Sequence, residues 1–167
     1  MEMRFDTQAI HVGEEPNFKD GGSGDVVVPI HLASTFARKE ADTPTNGYEY
    51  SRTSNPTRSA LEKRLAALEG AKHGLAFSSG LAAETTLLLS LLKSGDSVVA
   101  SDDLYGGTRR LLDGVFAKNY EVDVRYVDAT NLGQVEAALK TRPRLVWLET
   151  PTNPLLKIAD INAAAGA

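Results

Sequence analysis

The sequence predicts an α/β protein built on a mainly parallel sheet, and three observations carry that prediction. From about residue 74 onward, short apolar strands alternate with segments of helix length. The runs Val98-Val99-Ala100 and Leu145-Val146-Trp147-Leu148 are continuous rather than alternating, as strands covered on both faces should be. Each strand candidate opens into a loop rich in Gly, Pro, Asp or Asn before the next helix. The composition agrees with a folded globular chain, with 42% hydrophobic and 24% charged residues in 167.

Residues 1–54 read as an irregular arm. Glu14-Glu15-Pro16, Gly21-Gly22-Ser23-Gly24 and Thr43-Pro44-Thr45-Asn46-Gly47 are turn clusters. Only Val26-Val27-Val28 and a short helix over 7–11 look regular, so this arm is expected to pack on the rest of the domain or on a partner subunit.

Asn55 then supplies an N-cap and Pro56 a first-turn proline. Leu61, Leu65 and Leu68 share one helical face, and Gly70 stops the helix. A strand is expected over 74–78 and a helix over 80–92 that is apolar nearly all round, hence buried. Strands at 97–100, 122–127 and 145–148 alternate with helices at 108–118 and 131–140. Another helix begins at Asp160 with no stop signal. The expected layout is an arm, 1–54, followed by the first part of a larger domain, 55–167.

Several function classes are disfavoured. The net charge of −4, with no basic stripe, gives no electrostatic reason to bind nucleic acid. The absence of cysteine rules out disulfides and thiol nucleophiles and fits a cytoplasmic protein. His11, His31 and His73 are far apart, so no metal site is expected. No apolar run is long enough to span a bilayer, the N-terminus lacks a signal-like core, and no Gly-x-Gly-x-x-Gly or Walker pattern occurs.

In open parallel sheets, ligands bind beyond the carboxyl ends of the strands. Three of the least generic loops fall there: Ser78-Ser79-Gly80, residues 101–108 around Tyr105, and Glu149-Thr150-Pro151-Thr152-Asn153-Pro154. The Ser79-Gly80-Leu81 step places free N–H groups and a helix dipole at that rim, suited to a phosphate or serving only as a small-residue turn. Tyr105 could stack on a planar heterocycle or cover the edge of the core. Asn153 could bond a ring hydroxyl or a carboxylate, or cap a turn before Pro154. In the arm, Tyr50 and Arg52 would point to the same side of an extended segment, as a phosphate clasp or as a packed ring beside an exposed cation.

These residues lie in four motifs of matching order and spacing: Tyr50-Ser51-Arg52 with Asn55-Pro56-Thr57, Ser79-Gly80-Leu81-Ala82-Ala83, Asp103-Leu104-Tyr105-Gly106-Gly107-Thr108, and Glu149-Thr150-Pro151-Thr152-Asn153-Pro154. Through them the chain resembles the Cys/Met-metabolism family of pyridoxal-phosphate enzymes. That family includes cystathionine γ-lyase, cystathionine γ-synthase, methionine γ-lyase and O-acylhomoserine sulfhydrylases. The resemblance covers essentially the whole chain, which corresponds to less than half of a family chain.

The resemblance implies an aspartate-aminotransferase-like (fold type I) large domain, the cofactor pyridoxal 5'-phosphate, and a dimer of dimers. It implies that Gly80 and Leu81 donate N–H groups to the cofactor phosphate. Tyr50 and Arg52 would reach the phosphate of the neighbouring subunit. Tyr105 would stack on the pyridine ring and assist proton transfer, and Asn153 would bond on its 3-hydroxyl side with Glu149 supporting that loop. Glu49, Arg110 and Glu149 are the positions expected to meet substrate, unless Glu49 and Arg110 are ordinary surface charges. Gly107 stands where methionine γ-lyases carry a cysteine, so the chain leans toward the enzymes of cystathionine.

The family's Schiff-base lysine follows a Ser-x-Thr-type run, and no lysine follows such a run in these residues. Lys93 reads as a C-terminal helix cation, and Lys157 has no evident activating neighbour. Acting alone, the chain is expected to be inactive, either as part of a C–S lyase or γ-replacement enzyme or as a non-catalytic relative that binds a full-length partner.

Overall fold

The computed structural model describes residues 3–16, 18 and 23–166. They form two compact units, Met1–Ala76 and Phe77–Ala167.

The first unit is built on α1 (Phe5–His11) and α2 (Pro56–Leu68). Asn55 is extended at φ −142° and caps α2, its side-chain oxygen accepting the Thr57 N–H at 2.9 Å. Pro56 at the first helical position loses nothing, since its missing N–H would have had no helical partner. Beyond the helix Gly70 turns left-handed at φ 60°, and Ala71 N–H returns to the Ala66 carbonyl at 2.8 Å.

The leucine face of α2 is not the buried one. Leu61 and Leu65 are each about half-exposed, whereas Ala66 is buried. The side of α2 that meets the chain after α1 carries Ala60 and Arg64. A Cβ on Gly13 would stand 2.7 Å from the Ala60 carbonyl oxygen, and Arg64 donates to the Val12 carbonyl and pairs with Glu14 at 2.6 Å. Close backbone approach and an ion pair, rather than leucine packing, join these two segments.

The strand expected over 74–78 is absent, and 26–28, which looked regular, forms no regular element. Residues 26–28 form a bend without a ladder partner, and Gly21 and Gly22 of the turn cluster before it lie outside the described residues. Residues 74–78 are extended but enter no sheet. Gly74 instead sits directly against the Glu62 carbonyl, and the Ala76 N–H is satisfied by Glu62 Oε1 at 3.0 Å, so a helix has taken the place of a neighbouring strand.

The second unit runs α3 (Gly80–Leu91), β1 (Ser97–Ser101), α4 (Gly106–Leu111), a π-helical turn (Leu112–Ala117), α5 (Lys118–Tyr120), β2 (Asp123–Val127), α6 (Leu132–Leu139), β3 (Leu145–Trp147) and α7 (Ile161–Gly166). The three strands are parallel in the order β2-β1-β3. Val99 pairs with Arg125 on one side and Val146 on the other, so β1 is central. The expected helix over 108–118 is longer, 106–120, and the π turn within it is a register change that no propensity signals.

Both faces of β1 are covered. Val98 and Ala100 join Leu88, Leu104, Leu112, Phe116 and Val122 in one buried cluster. Val99 points the opposite way and is also fully buried. Helix α3, expected to be buried all round, buries only Leu88, while Leu87 and Leu89 are about half-exposed. Leu88 faces the β1 cluster, and one helix face is all that a single neighbouring layer can cover. Among the described residues no helix is long and apolar enough to cross a membrane.

Candidate functional site

The rim at the carboxyl ends of β1 and β3 brings together the start of α3, the loop carrying Tyr105 and the loop carrying Asn153. Ser79, extended at φ −159°, caps α3, its Oγ accepting the Ala82 N–H at 3.1 Å while its carbonyl takes the Ala83 N–H. The N–H groups of Gly80 and Leu81 are left directed out of the first turn. A Cβ on Gly80 would meet no heavy atom within 4 Å, so the space before this helix end is open. Two free N–H groups, the helix dipole and an open approach are what a phosphate dianion requires.

Tyr105 ends the loop after β1 and is about half-exposed. Its N–H donates to Glu149 Oε2 at 3.0 Å. The second oxygen of Glu149 accepts the Asn153 N–H at 2.9 Å. The Glu149 N–H in turn reaches Ser101 Oγ at 3.4 Å, at the end of β1. Gly107 lies beneath the tyrosine ring, where a Cβ would stand 3.1 Å from Tyr105 Cδ1 and 3.0 Å from Leu81 Cδ1. Thr108, fully buried, donates to Glu84 Oε2 at 2.8 Å and so ties α4 to α3.

A second knot holds the Asn153 loop from below. Asp103, buried, accepts the Thr152 hydroxyl and, at 2.9 Å, the Leu155 N–H. Thr152 N–H and Leu156 N–H close the loop on the Lys157 and Thr152 carbonyls at 3.0 Å each. Asn153 itself remains exposed at the rim. Arg110 is also exposed, with its Nη1 3.3 Å from the Cβ position of Gly106.

Glu49, Tyr50 and Arg52 belong to the first unit, where they share one cleft of about 500 Å³ with Thr35, Phe36, Arg38 and Thr53. The cleft forms because residues 34–36 pair antiparallel with 49–51: Phe36 N–H reaches the Glu49 carbonyl and Ser51 N–H the Ser34 carbonyl. Arg58 of α2 fastens the following turn by donating to the Ser51 and Thr53 carbonyls. The Arg52 guanidinium stands 4.8 Å over the Tyr50 ring, brought there by a turn in which the Thr53 and Ser54 N–H groups reach the Tyr50 carbonyl rather than by an extended segment. Glu49 is paired with Arg38.

Lys157 Nζ is held at 3.0 and 2.9 Å by Asp102 and at 3.4 Å by Asp128. The hydrogen bond to Asp102 and the two negative charges raise its pKa, so it is kept protonated and is a poor nucleophile. Asp128 is lowered chiefly by the Thr130 hydrogen bonds, with Lys157 adding to them.

Residue-by-residue reading of the sequence missed Glu84, Thr152 as a buried hydrogen-bond partner, and Asp103 as the anchor of the Asn153 loop. A glutamate inside an otherwise apolar helix, as Glu84 is, was the available signal, because a half-buried carboxylate needs a partner.

This arrangement sets a helix N-terminus, an aromatic ring and an amide on one rim of a parallel sheet. Residues 6–167 match the family model for Cys/Met metabolism PLP-dependent enzymes, and the chain belongs to that family. It is 51% identical over 163 residues to a probable cystathionine γ-synthase of Herpetosiphon aurantiacus, covering 98% of this chain and 49% of that protein. It is 50% identical to the cystathionine γ-lyase of Mus musculus, covering 98% of this chain and 40% of that one. Its fold matches the crystal structure of metB from Corynebacterium glutamicum with a TM-score of 0.92 at 46% identity, over 98% of this chain and 42% of the other. The chain thus spans between two fifths and one half of the length of these relatives.

Proposed function

We propose that this chain supplies part of the cofactor site of a transsulfuration enzyme acting on cystathionine or an activated homoserine, by γ-elimination or γ-replacement. The observation that carries the reading is the open, doubly unpaired amide end of α3, with Tyr105 and Asn153 beside it on one rim. Gly80 and Leu81 would bind the phosphate of pyridoxal 5'-phosphate, Tyr105 would stack on its ring, and Asn153 would face its 3-hydroxyl side. When bound, that group supplies an electron sink for charge developing on the substrate's α-carbon.

The chain's own residues bind and orient. Tyr105, resting on Gly107, presents a phenol at the rim that can carry a proton at the leaving group. Tyr50 and Arg52 are assigned to the phosphate of a neighbouring protomer, as a hydroxyl and a planar guanidinium fork. The apolar side chains of Val26, Val27, Ile30 and Leu32, all largely exposed, support an arm that meets another subunit. The pairing of cystathionine-type relatives with a glycine at 107 favours cystathionine enzymes over methionine γ-lyase.

Lacking the Ser-x-Thr lysine run, the 167 residues are assigned a binding role without turnover of their own. Titration of isotope-labelled chain with pyridoxal 5'-phosphate tests this. Weak, saturable shifts of the Gly80, Leu81, Tyr105 and Asn153 amides are expected, with no cystathionine consumed. Shifts confined to other residues, or turnover by the chain alone, would refute the assignment.

A further inference from the structure

Glu149 is placed so that one carboxylate serves two loops. Its Oε2 accepts the Tyr105 N–H at 3.0 Å and its Oε1 the Asn153 N–H at 2.9 Å. These amides stand 48 residues apart in sequence, in the loop after β1 and the loop after β3, which are paired neighbours in the sheet. The backbone of Glu149 is itself tied to β1, since its N–H meets Ser101 Oγ, a fully buried residue, at 3.4 Å. Each oxygen therefore already holds one backbone N–H, one from each loop.

We propose that Glu149 is a positioning residue: it locks the backbones of Tyr105 and Asn153 at a fixed separation, so that a ring-stacking phenol and an amide approach one planar ligand as a unit. The proposal rests on the reading of that ligand as pyridoxal 5'-phosphate, but the lock itself is a property of this chain. The chemistry explains why an acid stands here. A carboxylate accepts along both oxygens and strengthens each bond by its charge. Glutamine at the same place keeps one acceptor and turns an NH2 toward the other N–H donor. Aspartate is one methylene too short to span both loops.

Four measurements on the full chain test the lock. In wild-type protein, trans-hydrogen-bond couplings should run from the amide nitrogens of both Tyr105 and Asn153 to the single Cδ of Glu149; finding neither, or only one, overturns it. In Glu149→Gln, both amide resonances should move while those of Val98, Val99 and Ala100 in β1 stay in place. Added pyridoxal 5'-phosphate should bind Glu149→Gln about tenfold more weakly than wild type, the loss expected of one charge-assisted hydrogen bond. Its induced circular dichroism should also change shape, because the ring no longer meets Tyr105 at a fixed angle. Amides that respond without any change in affinity or in that spectrum would reduce Glu149 to a structural brace and overturn the positioning role. Should wild-type chain take up no pyridoxal 5'-phosphate, the functional reading fails together with the positioning role, whereas the couplings would still stand as a loop contact. Where Glu149→Gln does not fold, the wild-type couplings decide the lock without it.

Discussion

Gly107 is the floor on which Tyr105 rests: no side chain larger than hydrogen fits between the tyrosine ring and Leu81 at the start of α3. Gly107→Ala should therefore destabilise the chain although alanine is the better helix former. Overpacking costs about 1–3 kcal/mol, against a helix gain of at most about 1 kcal/mol. Urea denaturation should show a net loss of about 1 kcal/mol, and a gain in stability would mean the ring has another place to go.

Asp103 and Thr152 form a buried pair on which the Asn153 loop depends. Asp103→Ala strips the acceptor from the Thr152 hydroxyl and from the Leu155 N–H, and should cost about 3 kcal/mol. Thr152→Val breaks the bond to Asp103 and the one Thr152 Oγ1 accepts from the Lys157 N–H at 2.8 Å. Only the first is charge-assisted and Asp103 keeps Leu155, so the cost of this variant should be smaller. Equal losses in paired denaturation curves would argue against this account.

The two helix caps are not equivalent. Ser79 makes one capping bond, and Ser79→Ala should cost about 1 kcal/mol. Asn55 caps α2 and also donates from Nδ2 to the His31 carbonyl and to Ser51 Oγ, at 3.1 and 3.0 Å. Asn55→Ala should therefore cost about 2 kcal/mol. Thermal melts of the two variants give the ranking directly.

Tyr126 donates to Asp113 Oδ1 at 2.6 Å, with the Arg109 guanidinium 3.5 Å over its ring. Burial, then the bond to Asp113, pushes the phenol well above its ordinary 10.0. A raised pKa favours the protonated form in the folded chain. Its stabilisation is complete below pH 10.0, the ordinary value, and is lost as pH climbs from there toward the folded value. For Asp113 burial opposes ionisation, but the bonds from Tyr126 and Arg109 together outweigh it and lower its pKa, so its stabilisation fades in acid instead. Melting temperature against pH should fall above pH 10.0 in wild type, and Tyr126→Phe should flatten that fall.

What could be read from the sequence was whatever a short run of residues decides for itself. Asn55-Pro56 and Ser79-Gly80 name their helix starts because capping is a local hydrogen bond, and both are found where expected. Val98-Val99-Ala100 announces a central strand because only burial on two faces tolerates such a run. Residues 74–78 look equally strand-like, yet a strand exists only if another pairs with it, and Glu62 offers its side chain instead. The expected all-round burial of α3 failed for a related reason: which face is covered depends on neighbours that composition does not name. At the rim, the chemistry-bearing types at 105 and 153 were visible, but the carboxylates that hold them are joined by contacts spanning 44 to 52 residues.

The π-helical turn at Leu112–Ala117 puts one surplus residue into the coil between α4 and α5. The wider turn absorbs that residue, so excising one of the six before Phe116 would leave a plain α-helix in which Phe116 and Tyr120, rings 5.5 Å apart, stay together.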